Sequence, residues 1–104
     1  MERAICSVGD QCTGTCNAGS SGHPRTFIGT WLTGSPDVFV DDLPVVRIGD
    51  TGITDCGHQI VATGGSTSGF ANDLSIHRVG DAVTVTEGGT GVSNTGSPTK
   101  LCED

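Results

Sequence analysis

The stretch from Asp37 to Asp50, DVFVDDLPVVRIGD, decides the fold that the sequence predicts. Its two runs, Val38–Val40 and Leu43–Ile48, are rich in β-branched side chains, and the pair Asp41-Asp42 separates them. Two such runs joined by two polar residues indicate a tight antiparallel hairpin, because a two-residue turn matches the twist of paired strands. Gly49-Asp50 then ends the second run.

The same pattern returns as GFANDLSIHRVGD, from Gly69 to Asp81. The turns upstream of each copy keep a step of 31 residues, at Gly34-Ser35, Gly65-Ser66 and Gly96-Ser97. A third copy begins at Val92 and stops at Cys102, before a second hairpin strand. A frame repeated at a fixed period indicates one supersecondary unit used several times. We therefore predict an all-β fold, a small conical structure of pseudo-threefold hairpin repeats.

Further strands are expected at four places, and two glycine-rich segments are expected to be irregular. The strands are predicted over Arg3–Val8, Phe27–Leu32, Gln59–Thr63 and Ala82–Thr86. Gln11–Thr26 is predicted to be a long functional or disordered loop, and Gly88–Gly91 a flexible break. Because strand residues alternate between faces, Val46 and its counterpart His77 are predicted to point inward. Val45 and Arg47 are predicted to face solvent.

The composition describes one small acidic domain, over residues 1–104, with little material for a core. Aromatic residues make up 4% of the 104 residues, and 17 are glycine. Such a domain usually needs a disulfide, a metal or a partner to be stable. A net charge of −7 with five Lys and Arg argues against nucleic acid as a partner. The first residues lack the apolar segment of a signal peptide, so we expect synthesis in the cytoplasm.

The strongest chemical candidates are three Cys and His residues in the second half of the chain. Cys56 and His58 lie two apart in a glycine-containing loop, and thiolate and imidazole are the ligands that Zn²⁺ prefers. The alternative is that they are an ordinary loop cysteine and a solvated histidine without a metal. An inward His77 needs a polar partner, because burying an unsatisfied imidazole is costly. That partner is either a metal or a backbone carbonyl.

Candidates in the first half of the chain are His23, Cys12 and Cys16, all within the predicted long loop. That loop follows the first Gly-Asp pair, and the loop that contains Cys56 follows the second. Because the two loops hold equivalent positions in the repeat, they are expected to converge. Cys12 and Cys16 compete with His23 for the same site, or are free thiols. Cys6 and Cys102 are interpreted as structural or incidental.

Taken together, these stretches resemble PAAR-repeat proteins, the sharp tips of contractile injection machines. The matching segments cover most of the chain: Val8-Gly9-Asp10, Thr33–Val40, Leu43–Asp50, Ile76–Asp81 and Thr95–Pro98. Pro44–Arg47 stands at the position of the family's Pro-Ala-Ala-Arg signature, whereas the second copy has Ser75–Arg78. The resemblance implies a zinc-stapled β-cone whose base caps a trimeric β-helical spike.

The resemblance also implies a set of metal ligands and a cellular role. The family's three His and one Cys would be His23, Cys56, His58 and His77, with Cys12 as the substitute, holding one structural Zn²⁺ per chain. The expected role is a non-enzymatic, membrane-piercing tip, one per homotrimeric spike, with transient contact with a target cell envelope. The absence of an added effector domain favours a phage tail baseplate over type VI secretion.

Two other functions remain open at this stage. A small zinc-dependent hydrolase would need an open metal position, and the chain carries none of the common catalytic motifs. A redox module would use Cys12 and Cys16. A bound water on the metal would favour the hydrolase, and a disulfide in the cytoplasmic protein would favour the redox module.

Overall fold

The computed structural model describes residues 3–17, 24–97 and 100–102, and all regular structure among them is β-strand. The predicted all-β class is therefore confirmed. No helix that could cross a bilayer occurs in this part of the chain. The strands are β1 (Arg3–Ala4), β2 (Gln11–Cys16), β3 (Arg25–Trp31), β4 (Phe39–Val40), β5 (Leu43–Pro44), β6 (Thr51–Thr54), β7 (Gln59–Ala62), β8 (Phe70–Ala71), β9 (Leu74–Ser75), β10 (Ala82–Val85), β11 (Gly89–Ser93) and β12 (Leu101–Cys102).

Six strands close into a barrel in the order β10-β11-β2-β3-β6-β7. The barrel consists of three antiparallel hairpins side by side, β2–β3, β6–β7 and β10–β11. Because each hairpin turns back at the same end of the barrel, the paired ends of β2 and β3 at Cys16 and Arg25 lie there together with the turns 55–58 and 86–88. The predicted convergence of the first two loops stays a prediction for residues 18–23, which lie outside the described part of the chain.

Two barrel strands occupy segments that the sequence predicted to be irregular. β2 lies within the predicted loop Gln11–Thr26, and β11 begins inside the predicted break Gly88–Gly91. The glycines are required by close strand contact: a Cβ on Gly14 would lie 2.2 Å from the Thr90 carbonyl oxygen, and one on Gly91 would lie 2.2 Å from that of Thr13. Glycine here marks a close backbone approach and not a loop.

Three short hairpins lie outside the barrel sheet: β4–β5, β8–β9 and β1–β12. The first two confirm the predicted turns. Asp41 and Asp42 have φ of 52° and 66°, and Asn72 and Asp73 have φ of 54° and 66°. Positive φ at both central residues is the type I′ geometry that tight hairpins favour.

The third hairpin joins the two ends of the chain. Arg3 pairs with Cys102 and Ala4 with Leu101. The register matches those of the other two hairpins, in which Phe39 pairs with Pro44 and Phe70 with Ser75. The third copy is therefore not cut short, as the linear sequence indicated, because its second strand is supplied by the N-terminal segment.

A closed ring of backbone hydrogen bonds joins the segments that leave the three short hairpins. The N–H of Cys6 donates to the His77 carbonyl at 3.0 Å, that of Val46 to Cys6 at 2.9 Å, and that of His77 to Val46 at 2.9 Å. These residues occupy the same position in the three copies. Each segment is thus hydrogen-bonded to both of the others.

The Gly-Asp pairs that follow the ring form three similar turns. Gly9, Gly49 and Gly80 have φ of 97°, 94° and 89°, which favours glycine. In each turn the aspartate side chain accepts, at 2.8 Å, the backbone N–H of the residue three places earlier. The donors are Ser7, Arg47 and Arg78, and the acceptors are Asp10, Asp50 and Asp81.

Buried side chains form one cluster inside the barrel and a second against the short hairpins. Val46 is fully buried in the barrel cluster, and His77 is fully buried as well, as predicted. Val45 was predicted to face solvent, but it is fully buried in the second cluster. Its neighbour Arg47 folds back onto Asp50 at 2.9 Å, so the arginine-bearing face is covered by packing and an ion pair.

Candidate metal centre

Three side chains that could hold a metal ion meet at the end of the barrel where its hairpins turn. The Sγ atoms of Cys16 and Cys56 and one ring nitrogen of His58 all lie within 4.8 Å of one another. Cys16 is the last residue of β2, and its neighbours across the sheet are Arg25 and Gly89. Cys56 and His58 lie in the turn between β6 and β7. The protein therefore brings two sulfur donors and one nitrogen donor together.

The β6–β7 turn is held in place by Thr54, the last residue of β6. The Thr54 hydroxyl lies 3.2 Å from Cys56 Sγ and accepts the backbone N–H of His58 at 2.9 Å. Asp55 accepts a hydrogen bond from Arg25 of β3 at 3.1 Å. These contacts fix the two donors on the turn relative to each other and tie the turn to the neighbouring hairpin.

Glu87 approaches the same histidine from the β10–β11 turn. Its Oε2 lies 3.2 Å from His58 Nδ1. A histidine that binds a metal usually donates its other ring N–H to a carboxylate or carbonyl, which fixes the ring orientation. Glu87 lies at a distance that suits such an orienting role.

Of the four residues in the predicted ligand set, the structure brings Cys56 and His58 together. His23 lies outside the described residues and stays a prediction. His77 stands apart from the group, because both of its ring nitrogens make other contacts inside the barrel. Nδ1 lies 2.7 Å from the Gly64 carbonyl and Nε2 lies 2.7 Å from the Ser93 hydroxyl.

These contacts form a chain that assigns the tautomer of His77. The Gly64 carbonyl can only accept, so Nδ1 of His77 carries the proton, and Nε2 accepts from the Ser93 hydroxyl. The Ser93 oxygen in turn accepts the indole N–H of Trp31 at 3.0 Å. His77 also packs edge-on against Trp31, with ring centroids 5.1 Å apart. The neutral imidazole is therefore fully satisfied where it lies.

A pH-dependent stability follows from this environment. Burial lowers the pKa of His77 below its ordinary value of 6.5. Near and below pH 6.5, the imidazole therefore binds a proton more readily in the unfolded chain than in the folded protein. Stability should fall as the pH drops below about 6.5. We expect His77→Val to be less stable than wild type at pH 7.5, by about 1–3 kcal/mol, because Ser93 and Gly64 lose a partner.

The informative result is how that difference changes with pH. In thermal melts at saturating zinc, the gap between wild type and His77→Val should narrow from pH 7.5 to pH 5, since the variant has no buried imidazole to protonate. Val46→Ala, at the same position of the hydrogen-bonded ring, is the matched control and should show a constant gap. A constant gap for His77→Val would contradict the prediction.

The other cysteines are placed away from the three-residue group. Cys12 lies on the same inward face of β2 as Cys16 but deeper, near Gly29, and burial raises the pKa of its thiol to about 11. Burial likewise raises the pKa of Cys6 to about 12. Cys102 lies in the third short hairpin. The substitute named from the sequence, Cys12, is thus replaced in the group by Cys16.

Cys16 is the member that the sequence offered as a candidate without deciding between it and Cys12. Interpreting Gln11–Thr26 as a loop removed the strand position that distinguishes the two cysteines of the C-x3-C pair. On a strand they share one face, and Cys16 is the one nearer the turn. A strand assignment alone would have favoured it.

Comparison with models of protein families and with curated proteins gives no match.

Proposed function

We propose that the chain is a structural tip that caps the blunt end of a homotrimeric β-helical spike in a contractile injection machine, as its resemblance to PAAR-repeat proteins implies. One observation carries this proposal: the backbone frame around Cys6, Val46 and His77 occurs three times and closes on itself. A single chain built this way approximates threefold symmetry, and a cap on a homotrimer needs that symmetry.

The repetition extends beyond the ring. Each copy contributes a short hairpin, a Gly-Asp turn and a hairpin of the barrel. With the third short hairpin completed by the two termini, all three copies contain the same parts. We interpret the molecule as a pseudo-threefold cone, with the short hairpins at its base and the barrel turns at its vertex.

The short hairpins offer an apolar surface for a partner. Their exposed large hydrophobic side chains are Phe39, Leu43, Phe70, Leu74 and Leu101. Exposed aromatic and aliphatic side chains that lie close together commonly mark protein–protein interaction sites. The third hairpin carries Leu101 and Arg3 where the others carry Phe and Leu, so we expect its contact with the spike to contribute least.

A structural zinc would stabilise the opposite end. Cys16, Cys56 and His58 supply the sulfur and nitrogen donors that Zn²⁺ favours, and His23 is the fourth ligand that the sequence predicts. When bound, the ion would cross-link two barrel hairpins in a domain whose aromatic content is only 4%. We further propose assembly in the cytoplasm, a phage tail baseplate as the host machine, and only transient contact with a cell envelope.

A zinc-dependent hydrolase is the second candidate, favoured by the count of three donors in the group. Catalytic zinc sites combine three protein ligands with a water. His23→Ala separates the two functions. A tip with four protein ligands should bind zinc more weakly after this change, whereas a three-ligand catalytic site should keep its affinity.

Native mass spectrometry of the chain co-expressed with the trimeric β-helical spike protein of its machine tests the proposed function. The expected species contains one copy of this chain and three spike chains. It should survive high salt, because β-pairing and apolar contact hold it rather than surface charge. A ratio of three to three, or a stable homotrimer of this chain alone, would overturn the capping proposal.

A further inference from the structure

The candidate metal centre contains two cysteine thiols, and this pair permits a second chemistry at the same place. Cys16 Sγ and Cys56 Sγ lie no more than 4.8 Å apart, and neither residue forms a disulfide in this structure. Their segments are distant in sequence, the end of β2 and the β6–β7 turn. A bond between the sulfurs would join the same two barrel hairpins as a bound metal would.

The two thiols also differ in accessibility. Cys16 is fully buried, whereas Cys56 is half-buried on its turn. Oxidation of a thiol by a soluble oxidant follows its exposure. Cys56 is therefore the thiol that an oxidant reaches first, and Cys16 is placed to react with the product. Cys12 is fully buried deeper in the barrel and has no such partner within this group.

We propose that Cys16 and Cys56 form a disulfide when the metal-free protein is oxidised, so that metal and disulfide are alternative cross-links of one site. With hydrogen peroxide as oxidant, the Cys56 thiol breaks the O–O bond and becomes a sulfenic acid, releasing one water. The Cys16 thiol then attacks the Cys56 sulfur, the S–S bond forms, and a second water leaves. The two thiols lose two electrons in total, and one peroxide is reduced to two waters.

This chemistry suits a protein that works in two redox conditions. In a reducing cytoplasm thiols persist, and a metal is the available cross-link; outside the cell disulfides persist. The alternative-cross-link part of the inference rests on the proposed function, because it assumes that a metal binds at this group. The disulfide itself does not, since it needs only the two sulfur atoms and an oxidant.

Peptide mapping by mass spectrometry tests the proposal directly. The chelator-treated protein is incubated with hydrogen peroxide, alkylated without reduction, digested, and searched for the cross-linked peptides. We expect a loss of two hydrogen masses per chain and one dominant link, Cys16 to Cys56. Zinc added before peroxide should slow the reaction at least tenfold, and the oxidised protein should no longer bind zinc.

The controls separate this pair from the remaining thiols. Cys12→Ala should form the link at the wild-type rate, and Cys56→Ser should not form it. Wild type that yields no link, or a dominant link involving Cys6 or Cys12, would overturn the proposal.

Zinc binding measured on the reduced protein distinguishes the two ideas. A Cys16–Cys56 link in a protein that binds no zinc would refute the metal part of the proposed function while keeping the disulfide. Stoichiometric zinc binding without the Cys16–Cys56 link would refute the disulfide while keeping the metal part of the proposed function.

Discussion

Removal of the proposed zinc is expected to lower the melting temperature of the reduced protein by roughly 15–30 °C. A ligand that binds only the folded state at a thousand times its dissociation constant stabilises it by about 4 kcal/mol. Each kcal/mol moves the melting temperature of a domain of about 100 residues by ~4–8 °C. Because the donors come from the β2 end and the β6–β7 turn, the ion would add a cross-link between two barrel hairpins that sheet hydrogen bonds, core packing and the Arg25–Asp55 contact also hold together.

Metal analysis and thermal melts on the same samples measure this effect. Cys56→Ala and His58→Ala should each lose the zinc and melt near the chelated wild type, with no further response to chelator. Cys102→Ala is the matched control, because Cys102 is also a half-buried cysteine but lies in the third short hairpin. It should retain one zinc per chain. A wild-type melting temperature that does not change when the metal is chelated would refute a structural metal.

The sequence predicted the hairpin frame well because local chemistry specifies it. Asp41-Asp42 and Asn72-Asp73 tolerate the left-handed conformation that a two-residue turn needs, and they adopt it. The Gly-Asp pairs are equally local, since the aspartate bonds a backbone N–H only three residues away. Both features can be recognised in short windows of sequence.

Features that depend on distant segments were missed. β2 and β11 are stabilised by each other, and their glycines make sense only once Gly14 is known to lie against Thr90. The third short hairpin pairs Arg3 with Cys102 across almost the entire chain. No local pattern predicts either contact, because each joins segments that are far apart in the sequence.

The candidate site was predictable to a similar extent. Cys56 and His58 were selected from their spacing, which is local. The role of His77 depended on what surrounds an inward-facing imidazole, and the surroundings are Gly64, Ser93 and Trp31. The nearest of those partners along the chain, Gly64 and Ser93, are 13 and 16 residues from His77, so the sequence left open whether a metal or a carbonyl satisfies the ring.

Under the proposed function, the exposed apolar side chains of the short hairpins should be the part of the surface on which binding to the spike depends most. Phe39 and Phe70 occupy the same place in two short hairpins and are 54% and 57% exposed. Buried aromatic anchors commonly contribute about 2 kcal/mol each or more to a protein interface. The double variant Phe39→Ser/Phe70→Ser should therefore weaken the complex with the trimeric spike about a thousandfold, since each ~1.4 kcal/mol is tenfold.

The barrel wall provides a matched control for this experiment. Ile28 and Ile53 are 52% and 44% exposed, but they lie on the barrel strands β3 and β6, away from the short hairpins. Ile28→Ser/Ile53→Ser removes a comparable exposed apolar surface and should leave the affinity for the spike unchanged. Both double variants should keep their zinc and melt close to wild type, because side chains that are about half exposed contribute little to the free energy of folding. Equal losses of affinity in the two variants would show that exposed apolar surface in general, and not the short hairpins in particular, binds the partner. A complex unaffected by the phenylalanine changes would show that the interface lies elsewhere on the protein.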